Sequence, residues 1–187
     1  MASKQTLREV YLSKRLTLSD IEYQLRCELI TERILNLVEE NGIDSVHLFL
    51  PILKKKEFNS YPLINELKIK GVTIYIPKVV SNSELEHFIL DDQCVIEENS
   101  WGIPEPVKGN AIKEFNADLI LVPLIIADKK GHRIGYGKGF YDRFLKEVNS
   151  KTVGISLLPL LDEIPFVESN DVPLNRIISP FETLILK

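Results

Sequence analysis

The chain has 187 residues, 44% of them hydrophobic, and a formal net charge of −4 at pH 7, which suits a single domain over residues 1–187 and disfavours a nonspecific nucleic-acid surface. Cys27 and Cys94 lie far apart without metal-ligand spacing, which argues against a disulfide framework and a zinc site. No apolar run approaches the ~20 residues of a membrane span, so we expect no membrane partner. With the free thiols and the acidic charge, we expect a cytoplasmic protein without a nucleic-acid partner, and we expect it to be a monomer.

The first predicted element is a short basic helix over residues 2–14. Leu7 and Tyr11 lie on its apolar side, and Lys4 and Arg8 lie one turn apart on another side. Two neighbouring cations make this a candidate anion-facing helix. The spacing alone, however, favours an ordinary solvated basic face.

A long second helix is predicted to begin after Ser19. Ser19 and Glu22 form a capping box, and Asn41-Gly42 is a typical helix end. Apolar residues recur at helical spacing between these ends and should form the core-facing stripe: Ile21, Leu25, Leu29, Ile34, Leu37 and Val38.

Apolar runs and helical stretches alternate along the rest of the chain. The runs typical of strands are residues 46–50, 72–76, 119–126, 152–157, 176–179 and 183–186. Helices are predicted near 62–70 and 111–115, and again after residue 139. This alternation predicts an α/β fold, a single three-layer domain with a mostly parallel sheet and helices on both faces, whose ligands collect at the carboxyl ends of the strands.

The most informative stretch is the basic, glycine-rich segment 131–143, which follows the most apolar run and opens a helical pattern. Glycines let backbone N–H groups approach an anion, and a helix start adds partial positive charge, so the segment is a candidate phosphate cradle. Its spacing is neither Gly-x-Gly-x-x-Gly nor a P-loop, and the residues alone leave the ligand open. Asp142 could favour the helix N-terminus or pair with Lys146.

Five segments occur in order along the chain: Lys4 with Arg8, 57–60, 101–106, the glycine signature 133–142, and 171–175. Together they resemble the motifs of the 5-formyltetrahydrofolate cyclo-ligase family, and the glycine signature with its Tyr-Asp ending is the specific one. The chain departs from the family pattern by single residues at Ser60, Ile134, Phe140, Asn175 and Ser179.

The resemblance implies an α/β ligase of one-carbon metabolism. Its reaction would be the ATP-dependent cyclisation of 5-formyltetrahydrofolate to 5,10-methenyltetrahydrofolate, with release of ADP and phosphate, through phosphorylation of the formyl oxygen. Catalytic neutralisation of the ATP phosphates would come from Lys4, Arg8, Arg133 and Lys138. The implied ATP-binding residues are Lys4, Arg8, Arg133, Ile134, Gly135, Tyr136, Gly137, Lys138, Gly139, Phe140 and Tyr141.

The resemblance also implies a folate site and a Mg²⁺ site. The folate site would contain Glu57, Trp101, Tyr136 and Phe140, and Mg²⁺ would be held by Asp142 and Asp171. Without the resemblance, the residues alone would predict plain structural roles. Glu57 would be an ordinary surface acid, Trp101 a partly buried anchor and Asp171 a turn-forming residue.

Two other functions stay open at this point. One is a catalytically inactive folate- or nucleotide-binding module on the same fold. The other is a kinase or a different ATP-dependent ligase on the same scaffold, because a fold does not determine a substrate. The presence of the four cations together with Asp142 favours phosphoryl transfer over binding alone, and Glu57 and Trp101 favour folate.

Overall fold

The computed structural model describes residues 3–80, 84–99, 102–112 and 116–186. The helices are α1 Lys4–Leu16, α2 Asp20–Asn41, α3 Tyr61–Ile69 and α4 Phe140–Lys146, with a 3-10 turn at Leu53–Lys55. The strands are β1 Ser45–His47, β2 Thr73–Val79, β3 Leu85–Ile89, β4 Val95–Glu98, β5 Pro104–Lys108, β6 Asn110–Ile112, β7 Leu119–Pro123, β8 Ile126–Ala127, β9 Arg133–Ile134, β10 Lys151–Ile155, β11 Arg176–Ile178 and β12 Thr183–Ile185. Within these ranges, none of the helices has the length and apolarity needed to cross a bilayer.

Eight of the described strands form one sheet in the order β12-β11-β10-β7-β1-β2-β3-β6. The middle five, from β11 to β2, are parallel, and the strands added at either edge are antiparallel. The predicted mixed α/β fold with a mostly parallel sheet is confirmed.

Strand β7 shows why the domain has three layers. Its side chains alternate between two faces: Leu119 and Leu121 pack into a cluster with residues of α2 and α3, and Ile120 and Val122 pack with Phe144 of α4. All four β7 side chains are at most 1% exposed. A strand covered on both faces has no polar side, which is why its sequence is a continuous apolar run.

Helix α2 confirms the predicted caps and corrects the predicted stripe. The Glu22 N–H donates to Ser19 Oγ at 3.1 Å, and Gly42 ends the helix in the left-handed conformation. Ile21 and Leu25, however, are 83% and 52% exposed. Leu25 lies two positions and Ile21 six positions before Cys27, which places them about 200° and about 240° around the helix from it, on the side away from the core. The buried residues of α2 are Cys27, Ile30, Ile34, Leu37 and Val38.

The segment between β2 and β7 departs most from the prediction. The helix predicted over 111–115 is wrong at Ala111 and Ile112, which belong to β6 and pair antiparallel with β3; residues 113–115 lie outside the described residues. Strands β3, β4 and β5 were not predicted. Strand β3 pairs with the edge of β2, whereas β4 and β5 pair with each other in a separate two-stranded sheet. These short sequences become strands through such tertiary pairing and not through a strong local pattern.

Two predicted strands end three residues earlier than expected. Strand β1 stops at His47, and the run 119–126 divides into β7 and β8. In both places the chain leaves the sheet at a proline-containing segment, at Pro51 and Pro123. Phe49, Leu50 and Ile52 after β1 and Pro123 at the end of β7 line a cleft.

Candidate active-site cleft

A cleft of about 910 Å³ opens at the carboxyl ends of the parallel strands. Phe49 and Leu50 follow β1, Val79 ends β2 and Pro123 ends β7, and all four residues line the cleft. This is the edge at which open α/β sheets bind ligands, since loops from neighbouring strands meet there.

The structure brings the predicted site residues together in this cleft. The following predicted residues line it: Lys4, Arg8, Glu57, Arg133, Ile134, Gly135, Tyr136, Gly137, Lys138, Gly139, Phe140, Tyr141, Asp142 and Asp171. Trp101 lies outside the described residues. Lys4 and Asp171 are 167 positions apart in the sequence and touch each other here, so the cleft assembles both ends of the chain.

The lining falls into two groups of residues. The charged wall consists of Lys4, Arg8, the segment 133–143, Lys146 and the segment 168–171. The apolar wall consists of Phe49, Leu50, Ile52, Pro77, Val79, Leu85, Ile103, Pro104 and Pro123, with three charged residues among them, Lys55, Glu57 and Glu105.

The glycine loop is held against α1. Arg8 Nε donates to the Gly135 carbonyl oxygen at 2.7 Å. Gly137 has a φ of 84°, and a Cβ at this position would lie 2.8 Å from Arg8 Nη2. Any larger residue at 137 would therefore both strain the backbone and displace the arginine.

Lys4 and Asp171 form one ion pair of the charged wall. Lys4 Nζ donates to the two Asp171 oxygens at 2.9 and 2.7 Å and lies 3.1 Å from Glu168 Oε1. Burial acts to raise the pKa of Asp171, but the Glu168 N–H and the Lys4 ammonium group lower it below its ordinary value. Burial likewise acts to lower the pKa of Lys4, but its two carboxylate partners raise it. Both groups are charged at neutral pH.

Arg133 and Asp142 form the second ion pair. Arg133 Nη2 donates to Asp142 Oδ1 at 2.7 Å, while Nη1 donates to the Val172 carbonyl oxygen at 2.6 Å. The Val172 N–H also donates to Asp142 Oδ1, at 3.3 Å. Asp142 lies in the first turn of α4 as expected, but its charged partner is Arg133; the predicted alternative, Lys146, donates to Asn170 instead.

Glu57 is not a surface acid. It is 5% exposed, and its carboxylate accepts the Ile52 N–H at 2.7 Å. Its position follows from the 3-10 turn, which ends with Lys56 in the left-handed conformation and so folds Glu57 back over the turn. A charged side chain after a lysine run gives no sign of this burial in the sequence.

Three residues of the site were not found by sequence reasoning. Glu105 is 7% exposed in the apolar wall and accepts the Val79 N–H at 3.1 Å. Lys55 places Nζ 4.5 Å from the centre of the Tyr136 ring. Arg15, beneath the cleft, donates to the Tyr136 hydroxyl at 2.5 Å. Arg15 lies seven positions after Arg8 and therefore on the same helix face, but the helix was predicted to end at residue 14.

Two buried histidines pack beneath the aromatic part of the cleft. His47 Nε2 and His87 Nδ1 are 3.2 Å apart, and the His87 ring lies 4.5 Å from that of Phe144. Burial lowers the pKa of His87 to about 4 and holds that of His47 well below its ordinary value. Both rings are neutral at pH 7, and neither lines the cleft.

The sequence matches known proteins over nearly its whole length. The profile of the 5-formyltetrahydrofolate cyclo-ligase family matches residues 1–180. A 5-formyltetrahydrofolate cyclo-ligase from Haemophilus influenzae is 28% identical, with 91% of this chain and 94% of the relative covered. The corresponding protein from Mycoplasma genitalium is 27% identical, with 84% and 85% covered.

Solved structures give the same result. The NMR structure of 5,10-methenyltetrahydrofolate synthetase from Aquifex aeolicus superposes with a TM-score of 0.81 at 30% identity, covering 98% of this chain and 93% of the other. A 5,10-methenyltetrahydrofolate synthetase from Mycoplasma pneumoniae gives a TM-score of 0.74 at 26% identity, with 96% and 99% covered. The similarity therefore includes the sheet, the helices and the segments that build the cleft.

Proposed function

The chain belongs to the 5-formyltetrahydrofolate cyclo-ligase family, and from this premise we propose that ATP binds along the charged wall and 5-formyltetrahydrofolate along the apolar wall. The activity is that of the family, an ATP-dependent ligase acting on folate in one-carbon metabolism. One observation carries the assignment of the two walls: cations of α1 lie with those of the glycine loop and α4 in one part of the lining, whereas the rest is mainly apolar, with two buried carboxylates and Lys55.

The charged wall suits a nucleoside triphosphate. Lys4, Arg8, Arg133 and Lys138 supply positive charge, and the N–H groups of residues 135–139 can approach phosphate oxygens because the loop is rich in glycine. Lys4 and Arg133 are already held in place by Asp171 and Asp142. Incoming phosphates compete with these carboxylates for cations whose positions are preset, so little side-chain ordering is left for the binding step.

The two carboxylates fit Mg²⁺ to different degrees. All described hydrogen bonds of Asp142 go to Oδ1, so Oδ2 is available to a cation. Both oxygens of Asp171 accept hydrogen bonds from Lys4, so Asp171 can serve a metal only if Lys4 turns to the phosphates. Mg²⁺ typically uses one or two carboxylates together with substrate phosphates, and it neutralises charge on the transferring phosphoryl group.

The apolar wall suits a flat, aromatic substrate with polar edges. A pterin presents N–H donors along one edge, and the buried Glu57 carboxylate is an acceptor fixed by the Ile52 N–H. Tyr136 and Phe140 line the same cleft, and the Tyr136 ring contacts Lys55 of the other wall, so the two aromatic rings can flank the folate. The proposed stacking of Trp101 stays a prediction.

The chemistry explains why both substrates share one cleft. A formamide oxygen is a poor leaving group, so the γ-phosphoryl group is transferred from ATP to that oxygen and ADP leaves. Nitrogen 10 of the same folate then attacks the formyl carbon, the carbon–oxygen bond breaks, phosphate departs with the oxygen, and nitrogen 10 loses its proton. Because the attack is intramolecular, the protein needs mainly to orient the substrates and to stabilise the phosphoryl charge with its cations.

The test is formation of methenyltetrahydrofolate, followed by absorbance, from 5-formyltetrahydrofolate with MgATP, with ATP and a chelator, and without ATP. We expect product and an equal amount of ADP only with MgATP. Binding of both ligands by calorimetry without turnover would instead support the inactive binding module. Turnover of ATP with another acceptor in place of 5-formyltetrahydrofolate would favour a kinase.

We further propose that the chain acts as a cytoplasmic monomer with residues 1–187 in one domain. Strands from both halves of the sequence lie side by side in one sheet, and both cysteines are free, as in a reducing compartment. Light scattering should give the mass of one chain, and unfolding should be a single transition. Two separate transitions or a dimer mass would contradict these proposals.

A further inference from the structure

Arg15 is a charged residue of the last turn of α1 that is buried almost completely, with 2% exposure. It does not line the cleft, but all its partners belong to segments that do. Nε donates to the Lys55 carbonyl oxygen at 3.0 Å, Nη1 to the Leu124 carbonyl oxygen at 3.1 Å and Nη2 to the Tyr136 hydroxyl at 2.5 Å. The guanidinium group thus joins the 3-10 turn, the end of β7 and the glycine loop.

A buried charge is costly unless hydrogen bonds and an opposite charge compensate it. Arg15 has the hydrogen bonds, and the nearby opposite charge is Glu57. The two residues share the lining of a small void of about 10 Å³ that adjoins the cleft through Phe49, Glu57 and Pro123. Burial chiefly raises the pKa of the Tyr136 hydroxyl, while Glu57 raises it further and Arg15 lowers it, so both charges act on this hydroxyl.

Tyr136 is held from two sides. The Arg15 guanidinium carbon lies 5.9 Å from the centre of its ring and Lys55 Nζ lies 4.5 Å from it. Rotation of the ring or withdrawal of the loop would break the hydrogen bond to Arg15. The hydrogen bond from Arg15 therefore fixes the orientation of the Tyr136 hydroxyl, and the shared void places the positive charge of Arg15 near Glu57.

We propose that Arg15 is a positioning residue for the folate: it fixes the Tyr136 hydroxyl and counterbalances the Glu57 carboxylate where these two groups meet the substrate. The proposal rests on the assignment of folate to this side of the cleft. A purely structural role would tie α1 to the sheet and affect stability alone. A positioning role changes folate affinity while sparing that for ATP.

The test compares Arg15→Lys, Arg15→Met, Tyr136→Phe and the double variant Arg15→Met/Tyr136→Phe. We expect Arg15→Met to raise the KM for 5-formyltetrahydrofolate by about tenfold or more, because a hydrogen bond from a charged donor contributes roughly that factor. The KM for ATP should stay within about twofold, and Arg15→Lys should recover part of the loss. The double variant should be no worse than Arg15→Met, since Tyr136 acts through the same contact.

Arg26→Met is the matched control. Arg26 also donates to a main-chain oxygen, that of Leu157, at 2.6 Å, and its side chain is 14% exposed, but it lies on α2 and does not line the cleft. It should lower the unfolding temperature and leave both KM values unchanged. If Arg15→Met does not fold, the double-mutant cycle can be built from Arg15→Lys, Tyr136→Phe and the variant that combines these two substitutions.

Equal increases in both KM values, additive effects in the cycle, or a folate shift in Arg26→Met as large as that in Arg15→Met would overturn the proposal. Equilibrium binding of 5-formyltetrahydrofolate to the same variants gives the answer independently of turnover. A wild-type protein that forms no methenyl product contradicts the proposed function. An active wild type whose folate affinity is unaffected by Arg15 contradicts only the positioning role.

Discussion

Charged side chains have different kinds of partner in the two walls of the cleft. In the charged wall, cations and carboxylates pair with one another, as Lys4 does with Asp171 and Arg133 with Asp142. In the apolar wall, Glu57 and Glu105 accept main-chain N–H groups, those of Ile52 and Val79. The first arrangement can exchange partners when a polyanion arrives, whereas the second presents fixed acceptors.

This difference predicts which kinetic property a substitution in each wall should change. Under the proposed assignment, groups of the charged wall act on charge that develops during phosphoryl transfer, so changes there should affect rate and dependence on ATP and Mg²⁺. Under the same assignment, groups of the apolar wall bind an uncharged edge of the folate, so changes there should affect folate affinity. Four predictions test this division.

The largest effect is expected for Asp142→Asn. The amide keeps the size of the side chain and an acceptor for Arg133, but it removes the anionic oxygen available to Mg²⁺, so phosphoryl transfer should fall by orders of magnitude. Methenyl formation against Mg²⁺ concentration measures the change, with thermal unfolding as the folding control. Asp118→Asn, a carboxylate that bonds the main chain at the start of β1, should leave the rate unchanged. An unaltered rate and Mg²⁺ dependence in folded Asp142→Asn would remove Asp142 from the metal site.

Glu57→Gln should act on the folate. The substitution keeps the shape and one acceptor but removes the charge, and loss of a charge-assisted hydrogen bond of about 1.5–3 kcal/mol should raise the folate KM roughly tenfold or more. The KM for ATP should change little. Steady-state kinetics with each substrate varied in turn gives both values, and Glu28→Gln on the exposed face of α2 is the control. A larger change for ATP than for folate would reverse the assignment of the walls.

Lys4→Ala and Arg8→Ala should weaken the use of ATP more than that of folate. Each removes one candidate phosphate contact, which should raise the KM for ATP by about tenfold. Lys4→Ala also leaves Asp171 without its cation, so it should destabilise the protein more than Arg8→Ala does. Lys14→Ala, at the exposed end of α1, is the matched control. If both variants had the same KM for ATP as the wild type, Lys4 and Arg8 would not be phosphate contacts.

The smallest effect concerns pH. The pKa of Asp171 is lower in the folded protein than its ordinary 3.8, so its pair with Lys4 contributes to stability above that pH and loses the contribution as the pH falls through the folded-state pKa. The stability difference between wild type and Asp171→Asn should be constant from neutral pH to about 5 and should vanish only below about 4. The group is partly exposed, so the difference is small. Urea unfolding across this range measures it, and a difference that disappears near neutral pH would contradict the ion pair.

Much of the charged wall could be predicted because its information is local. The apolar run and the glycine loop that follows it are adjacent in the sequence, and Lys4 and Arg8 are one helical turn apart. The geometry of each pattern follows from glycine conformations or from helix periodicity. Strand β7 could be predicted for a similar reason, since burial on both faces makes every residue apolar. The fold class followed from the alternation of such runs with helices.

The apolar wall and the ion pairs were decided by tertiary structure. Glu57 and Arg15 look like solvated charges in the sequence, and only the packing of α1 and the 3-10 turn over β7 buries them. The pairing of Lys4 with Asp171 joins opposite ends of the chain, and β6 becomes a strand because the edge of β3 is available to it. Local spacing encodes which residues share a helix face or a turn, but burial and long-range charge pairing depend on which segments meet once the sheet has formed.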